Sequence, residues 1–121
     1  MTKCLDTYAL IEISIGNPKF LKYINSNFVV SEITLAEFYA VLLREQNRDL
    51  AEYWYEKLDI FTIPIDTKLL IKAIEFRHKH KKTGMSFFDA VGYIHSLRNN
   101  YQFVTGDKEF EKFPNVEFVK K

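Results

Sequence analysis

Gln102-Phe103-Val104-Thr105-Gly106-Asp107-Lys108-Glu109-Phe110 decides the fold, because a short apolar run stops at a glycine and an acid before a charged turn. Lys3-Cys4-Leu5-Asp6-Thr7 has the same form. Phe28 to Val30, Ile60 to Pro64 and Val116 to Val119 are further short apolar runs, and all five read as strands. Helical patterns separate them. Thr7 to Ser14 predicts a short helix closed by Gly16, and Asn17-Pro18 starts another through about Ser26. From Thr34 the spacing of Leu35, Phe38, Val41 and Leu42 is helical, and a second helix is expected from about Asp49 to Leu58. Asp66 suits the N-cap of an amphipathic helix carrying Leu69, Leu70, Ala73, Ile74 and Arg77, which ends in the cationic cluster Arg77 to Lys82 and Gly84. Ser86 caps a helix to about Asn99, and a short helix is expected around Lys108 to Lys112. Short apolar strands alternating with helices argue for an α/β fold with a parallel sheet covered on both faces. Ligands of such sheets bind beyond the carboxyl ends of the strands, where Asp6 and Asp107 lie.

The chain has 121 residues, 47% hydrophobic and 27% charged, with four Gly and three Pro, which suits one globular domain over residues 1–121. No repeat or linker-like tract divides it, and no apolar run approaches the roughly 18 residues that span a membrane. The start of the chain does not read as a signal peptide. Cys4 is the sole cysteine, which excludes an internal disulfide and a zinc cluster and suits a cytoplasmic protein. Seventeen Lys and Arg against sixteen Asp and Glu give +1, an average that argues against a nucleic-acid partner.

Four acids stand apart from an ordinary solvated surface. Asp6 ends an apolar run; Glu37 opens a helix in Ile33-Thr34-Leu35-Ala36-Glu37-Phe38; Asp89 lies in Ser86-Phe87-Phe88-Asp89-Ala90-Val91; Asp107 follows Gly106. Each has a plain structural explanation. Thr34 with Glu37 and Ser86 with Asp89 match capping boxes, Asp6 can cap the following helix, and Asp107 can serve a turn. All four nevertheless sit at junctions that can converge on one sheet edge. Two carboxylates about 5 Å apart repel by roughly 3 kcal/mol at an effective dielectric near 20. A hard divalent cation removes that repulsion, and oxygen-only donors favour Mg²⁺ or Mn²⁺ over zinc. Glu32 competes with Glu37, which is preferred because it lies inside the helix start beside Leu35 and Phe38.

In this order, the motifs around Asp6, Glu37, Asp89 and Asp107 resemble the PIN-domain ribonucleases, especially the small VapC-type toxins of toxin–antitoxin pairs. The resemblance runs from residue 3 to the Phe113-Pro114-Asn115-Val116 tail. It implies a three-layer fold with a five-stranded parallel sheet, and a pocket in which Asp6, Glu37, Asp89 and Asp107 bind one or two Mg²⁺ or Mn²⁺ ions. The implied activity is endonucleolytic hydrolysis of RNA, with Thr7 and Thr105 orienting carboxylates or water. The implied partners are RNA, a cognate antitoxin and a second copy of the chain. Two positions depart from the family pattern: Tyr8 stands where Asn or Ser is frequent, and Gly106 where a polar residue is frequent.

Arg77, Lys79, Lys81 and Lys82 form the densest positive run, either a solvated helix end or a rail for RNA phosphates. His78 and His80 point to different helix faces, which argues against a metal pair, and His95 reads as a packing residue. Tyr53, Trp54 and Tyr55 are consecutive and cannot all face inward, so one at least should be exposed at an interface. Two other readings compete. A PIN-like scaffold would bind RNA or protein without cutting, and a phospho-receiver domain would need paired acids after its first strand, where only Asp6 stands.

Overall fold

The computed structural model describes residues 1–121. Five strands, β1 (Lys3–Leu5), β2 (Phe28–Ser31), β3 (Thr62–Ile63), β4 (Gln102–Thr105) and β5 (Val116–Phe118), form one sheet in the order β3-β2-β1-β4-β5. Every pairing is parallel. The register sets Cys4 beside Val29 and Phe103, and Leu5 beside Val104. The chain first builds outward from β1 through β2 to β3, then returns to add β4 and β5 on the other side. The order therefore reverses between β1 and β4. Asp6 follows the first of these strands and Gly106-Asp107 follows the second.

Six helices complete the chain: α1 (Thr7–Ser14), α2 (Pro18–Leu21), α3 (Glu32–Glu45), α4 (Arg48–Leu58), α5 (Thr67–Lys79) and α6 (Phe87–Arg98). Alternation along the strands sends successive side chains to opposite faces. Leu5 and Val104 join the larger core with Leu10, Phe20, Phe38 and Leu58, beneath α1, α2, α3 and α4. Phe103 joins the other core with Ala73, Val91, Tyr93 and Phe110, beneath α5 and α6. Its aromatic rings pack edge-on or tilted, with centroids of Phe103 and Phe110 5.2 Å apart and those of Tyr93 and Phe110 5.4 Å apart.

Several boundaries differ from the sequence reading, each for a local reason. The helix expected through Ser26 breaks after Leu21 into a 3₁₀ turn over Lys22–Asn25. α3 begins at Glu32 because Ser31, and not Thr34, is the N-cap; the Ser31 hydroxyl accepts the Thr34 N–H at 3.1 Å. That removes the capping-box explanation for Glu37. α4 starts earlier than Asp49, with Asn47 accepting the Leu50 N–H at 2.8 Å. The third strand shrinks to Thr62–Ile63 because Asp59–Phe61 winds into a 3₁₀ turn, and the short helix after Asp107 is a 3₁₀ turn over Lys108–Phe110. On α5, Leu69 and Ala73 are buried but Ile74 faces solvent. Gly16, at φ +84°, closes α1 in a left-handed conformation that costs glycine little.

Candidate functional site

Asp6 sits at the carboxyl end of the central strand and is only 2% exposed. Its Oδ1 accepts the Ala9 N–H at 2.8 Å, so it caps α1 as well as facing the sheet edge. Thr105, at the end of neighbouring β4, is fully buried; its Oγ1 accepts the Asp107 N–H at 3.0 Å. Asp107 in turn accepts the Glu109 N–H at 3.0 Å and caps the turn that follows. Ser86 caps α6, its hydroxyl accepting the Asp89 N–H at 3.1 Å, which places Asp89 in the first helical turn. Glu37, half-buried on α3, accepts a hydrogen bond from the Thr7 hydroxyl.

The four acids influence one another. Burial pushes the Asp6 carboxyl well above the usual carboxylate range; hydrogen bonds from Thr105 and Ala9 oppose the rise, and the charges of Asp89 and Asp107 add to it. Asp89 is pushed up to about 6, by burial first, then by Glu37, with Asp107 adding to the rise and Ser86 opposing it. Glu109, which the sequence reading left aside, belongs to the same edge: burial and then Asp107 raise its carboxyl. Its only sequence signal is a place two residues beyond Asp107. None of the four candidate acids takes part in an ion pair; the pairs in the chain are Lys3–Glu117, Arg44–Glu45, Arg98–Asp66 and Lys121–Glu12. Glu32, the rival to Glu37, turns away and accepts the Ile65 N–H at 2.8 Å.

The site is thus an oxygen-only set with excess negative charge at the topological switch point of a parallel sheet. No three Asp, Glu, His or Cys side chains are gathered closely enough to hold one ion among them. Mg²⁺ does not require such a cage, since it keeps several waters and is commonly held by one or two carboxylates together with substrate phosphates. In charge and donor chemistry the residues fit a hard divalent cation.

A PIN domain family model matches residues 3–116. The chain belongs to the PIN domain family. Solved structures share the fold of this PIN domain. VapC20 of Mycobacterium tuberculosis, a sarcin-ricin loop cleaving toxin, superposes with a TM-score of 0.78 at 18% identity over 98% of each chain. A DNA-bound VapBC from Salmonella typhimurium gives 0.77 at 20% identity, over 98% of this chain and 97% of that one. A toxin–antitoxin complex from Klebsiella pneumoniae gives 0.77 at 18% identity over 95% of each chain. No curated protein matches in sequence.

Other sequence candidates fall around this edge or away from it. Arg77, Lys79, Lys81 and Lys82 are exposed. The Arg77 Nε–H donates to the Met85 carbonyl at 3.0 Å, tying the cationic run to the loop just before Ser86. His78 is exposed, while His80 packs on Phe76 with ring centroids 4.5 Å apart. His95 is buried far along α6 beside Cys4, its Nδ1 3.7 Å from Sγ. Burial lowers the His95 pKa and pushes the Cys4 thiol up to about 12, so Cys4 is a packing residue and no nucleophile. Tyr53 and Tyr55 are exposed, and between them Trp54 lines an apolar cavity of about 250 Å³ with Leu10, Ile13, Phe28 and Leu58. No helix is long and apolar enough to cross a membrane.

Proposed function

We propose that this PIN domain, one unit over residues 1–121, is a metal-dependent endoribonuclease and the toxin of a type II toxin–antitoxin pair. The observation that carries the reading is Asp6, buried at the switch point with two further acids near it and no cation. Asp6, Asp89 and Asp107 would hold Mg²⁺ or Mn²⁺, one or two ions, with Glu37 acting directly or through water. Such an ion supplies positive charge against the phosphodiester and lowers the pKa of the attacking water.

The chain's own residues do the rest. Thr7 holds the Glu37 carboxylate in one orientation, and Thr105 orients Asp6 while fixing the Asp107 backbone. Without a cation the acidic edge would repel RNA. Away from it, setting the four acids aside leaves seventeen cationic side chains against twelve anionic, a balance of +5. The exposed run of Arg77, Lys79, Lys81 and Lys82 is tied through Arg77 to the loop that leads into α6, from which it would take phosphates flanking the cut.

An antitoxin partner is supported by the fold shared with VapBC complexes, and the cavity around Trp54 offers an apolar recess for a side chain of a docking helix. Homodimerisation is supported by the exposed Tyr53 and Tyr55. A compartment without oxidising chemistry, the cytoplasm, suits the lone thiol of Cys4. The decisive experiment incubates the purified protein and Asp6→Asn with structured RNA and Mn²⁺; cleavage by the first alone supports the reading, and equal cleavage by both counts against it. The alternative, a PIN-like scaffold that binds without cutting, draws on the spread of the carboxylates. A Mn²⁺ titration that reveals no site would favour that alternative.

A further inference from the structure

Tyr8 and Gly106 are the two positions at which the chain departs from the pattern it otherwise resembles, and they touch. A Cβ built on Gly106 would lie 2.1 Å from Tyr8 Cε1 and 2.6 Å from Cζ, a space no other residue could share with the ring. The two departures are one feature. The ring occupies the place of a side chain at position 106.

Its location gives that feature a use. Tyr8 follows Asp6 and Thr7 on one acid-bearing turn, and Gly106 stands between Thr105 and Asp107 on the other. The ring therefore bridges the carboxyl ends of β1 and β4 at the rim of the acidic site. It is half-buried, resting on Phe20 with centroids 5.9 Å apart, and its hydroxyl makes no hydrogen bond within the chain. A part-exposed aromatic ring beside a phosphate-directed site is the arrangement on which unpaired bases stack.

We infer that Tyr8 is a substrate-positioning residue that stacks on a nucleobase next to the scissile phosphate of single-stranded RNA. This rests on the endoribonuclease reading above. Stacking on an aromatic is sequence-tolerant, so Tyr8 fixes the register of the strand over the acids more than it selects a base. Gly106 serves by leaving the ring room.

The test compares the wild type, Tyr8→Phe and Tyr8→Leu on a single-stranded RNA with Mn²⁺, using an intact substrate and one with an abasic nucleotide beside the cleaved bond. Tyr8→Phe should match the wild type within about twofold. Tyr8→Leu, which keeps apolar packing on Phe20, should raise KM roughly tenfold or more with a smaller change in kcat and an unchanged melting temperature. The abasic substrate should raise KM for the wild type and erase its advantage over Tyr8→Leu. A wild-type KM in Tyr8→Leu, or an abasic substrate handled like the intact one by the wild type, would overturn the inference while leaving the nuclease reading in place. Absence of any cleavage by the wild type would remove both. If Tyr8→Leu fails to fold, the wild-type comparison of the two substrates still decides.

Discussion

The two ends of α1 carry two buried acids that are treated in opposite ways. Glu12, 4% exposed, accepts the Asn17 side-chain amide at 2.9 Å and pairs with the Lys121 ammonium at 3.5 Å. Asp6, 2% exposed, has a hydroxyl and a backbone N–H for donors and other carboxylates for neighbours. Glu117 repeats the Glu12 pattern on β5, where it accepts from Lys3 and Tyr23. Burial raises its carboxyl, but those partners outweigh burial and hold it below the usual value, whereas Asp6 and Asp89 are raised. An acid kept for structure comes with its counter-charge. Asp6 has none in the chain, and the proposed cation would supply it.

The sharpest way to break this contrast is Asp6→Asn. Asparagine caps a helix as well as aspartate, so the melting temperature of the metal-free protein should hold or rise, while RNA cleavage with Mn²⁺ should fall by at least about a hundredfold. A large loss of stability would make Asp6 a structural acid like Glu12.

The pH dependence should also separate the two regions. For an acid whose folded pKa is raised, the cost of charging it in the fold is absent below the unfolded pKa and complete above the folded one. For Asp89, raised from 3.8 to about 6, metal-free stability should therefore fall by about 3 kcal/mol as pH rises through that window. Asp89→Asn should flatten the fall, as should saturating Mn²⁺. Glu117 acts in the opposite sense, since its contribution is present above its ordinary pKa and lost as pH falls. Denaturant unfolding at a series of pH values, with and without Glu117→Gln, measures both slopes.

Thr7→Val should release Glu37 and lower cleavage about ten- to a hundredfold, with little change in stability. Glu117→Gln should do the converse, costing about 1 kcal/mol of stability with cleavage retained. The smallest effect is expected from Lys79→Gln with Lys82→Gln, which should weaken RNA binding and reduce its salt slope by less than two, read by anisotropy at several salt concentrations.

Much of this was legible in the sequence because local rules agreed. The apolar runs ending in Leu5-Asp6 and Thr105-Gly106-Asp107 fixed the parallel sheet, and Asp66 and Ser86 marked two helix starts where the structure has them. What was not legible had two sources, rival local signals and contacts remote in sequence. Ser31 displaced Thr34 as the cap of α3 by accepting the Thr34 N–H itself, and the turn of Asp59–Phe61 shortened β3, each a rival local signal that the strand and helix patterns masked. The meeting of Tyr8 with Gly106 is invisible as a pair in the sequence, because the two stand near opposite ends of the chain and no local pattern joins them. Likewise the charge of +1 concealed a concentrated acidic edge within a mildly basic remainder.

Calorimetric titration of Mn²⁺ into the metal-free protein at about pH 6, in buffers of differing ionisation enthalpy, tests the central claim most directly. Saturable binding with net proton release, abolished in Asp6→Asn and retained in Glu117→Gln, is the expected result, since raised carboxyls must give up protons to take a cation. No saturable binding, or binding indifferent to Asp6, would contradict it.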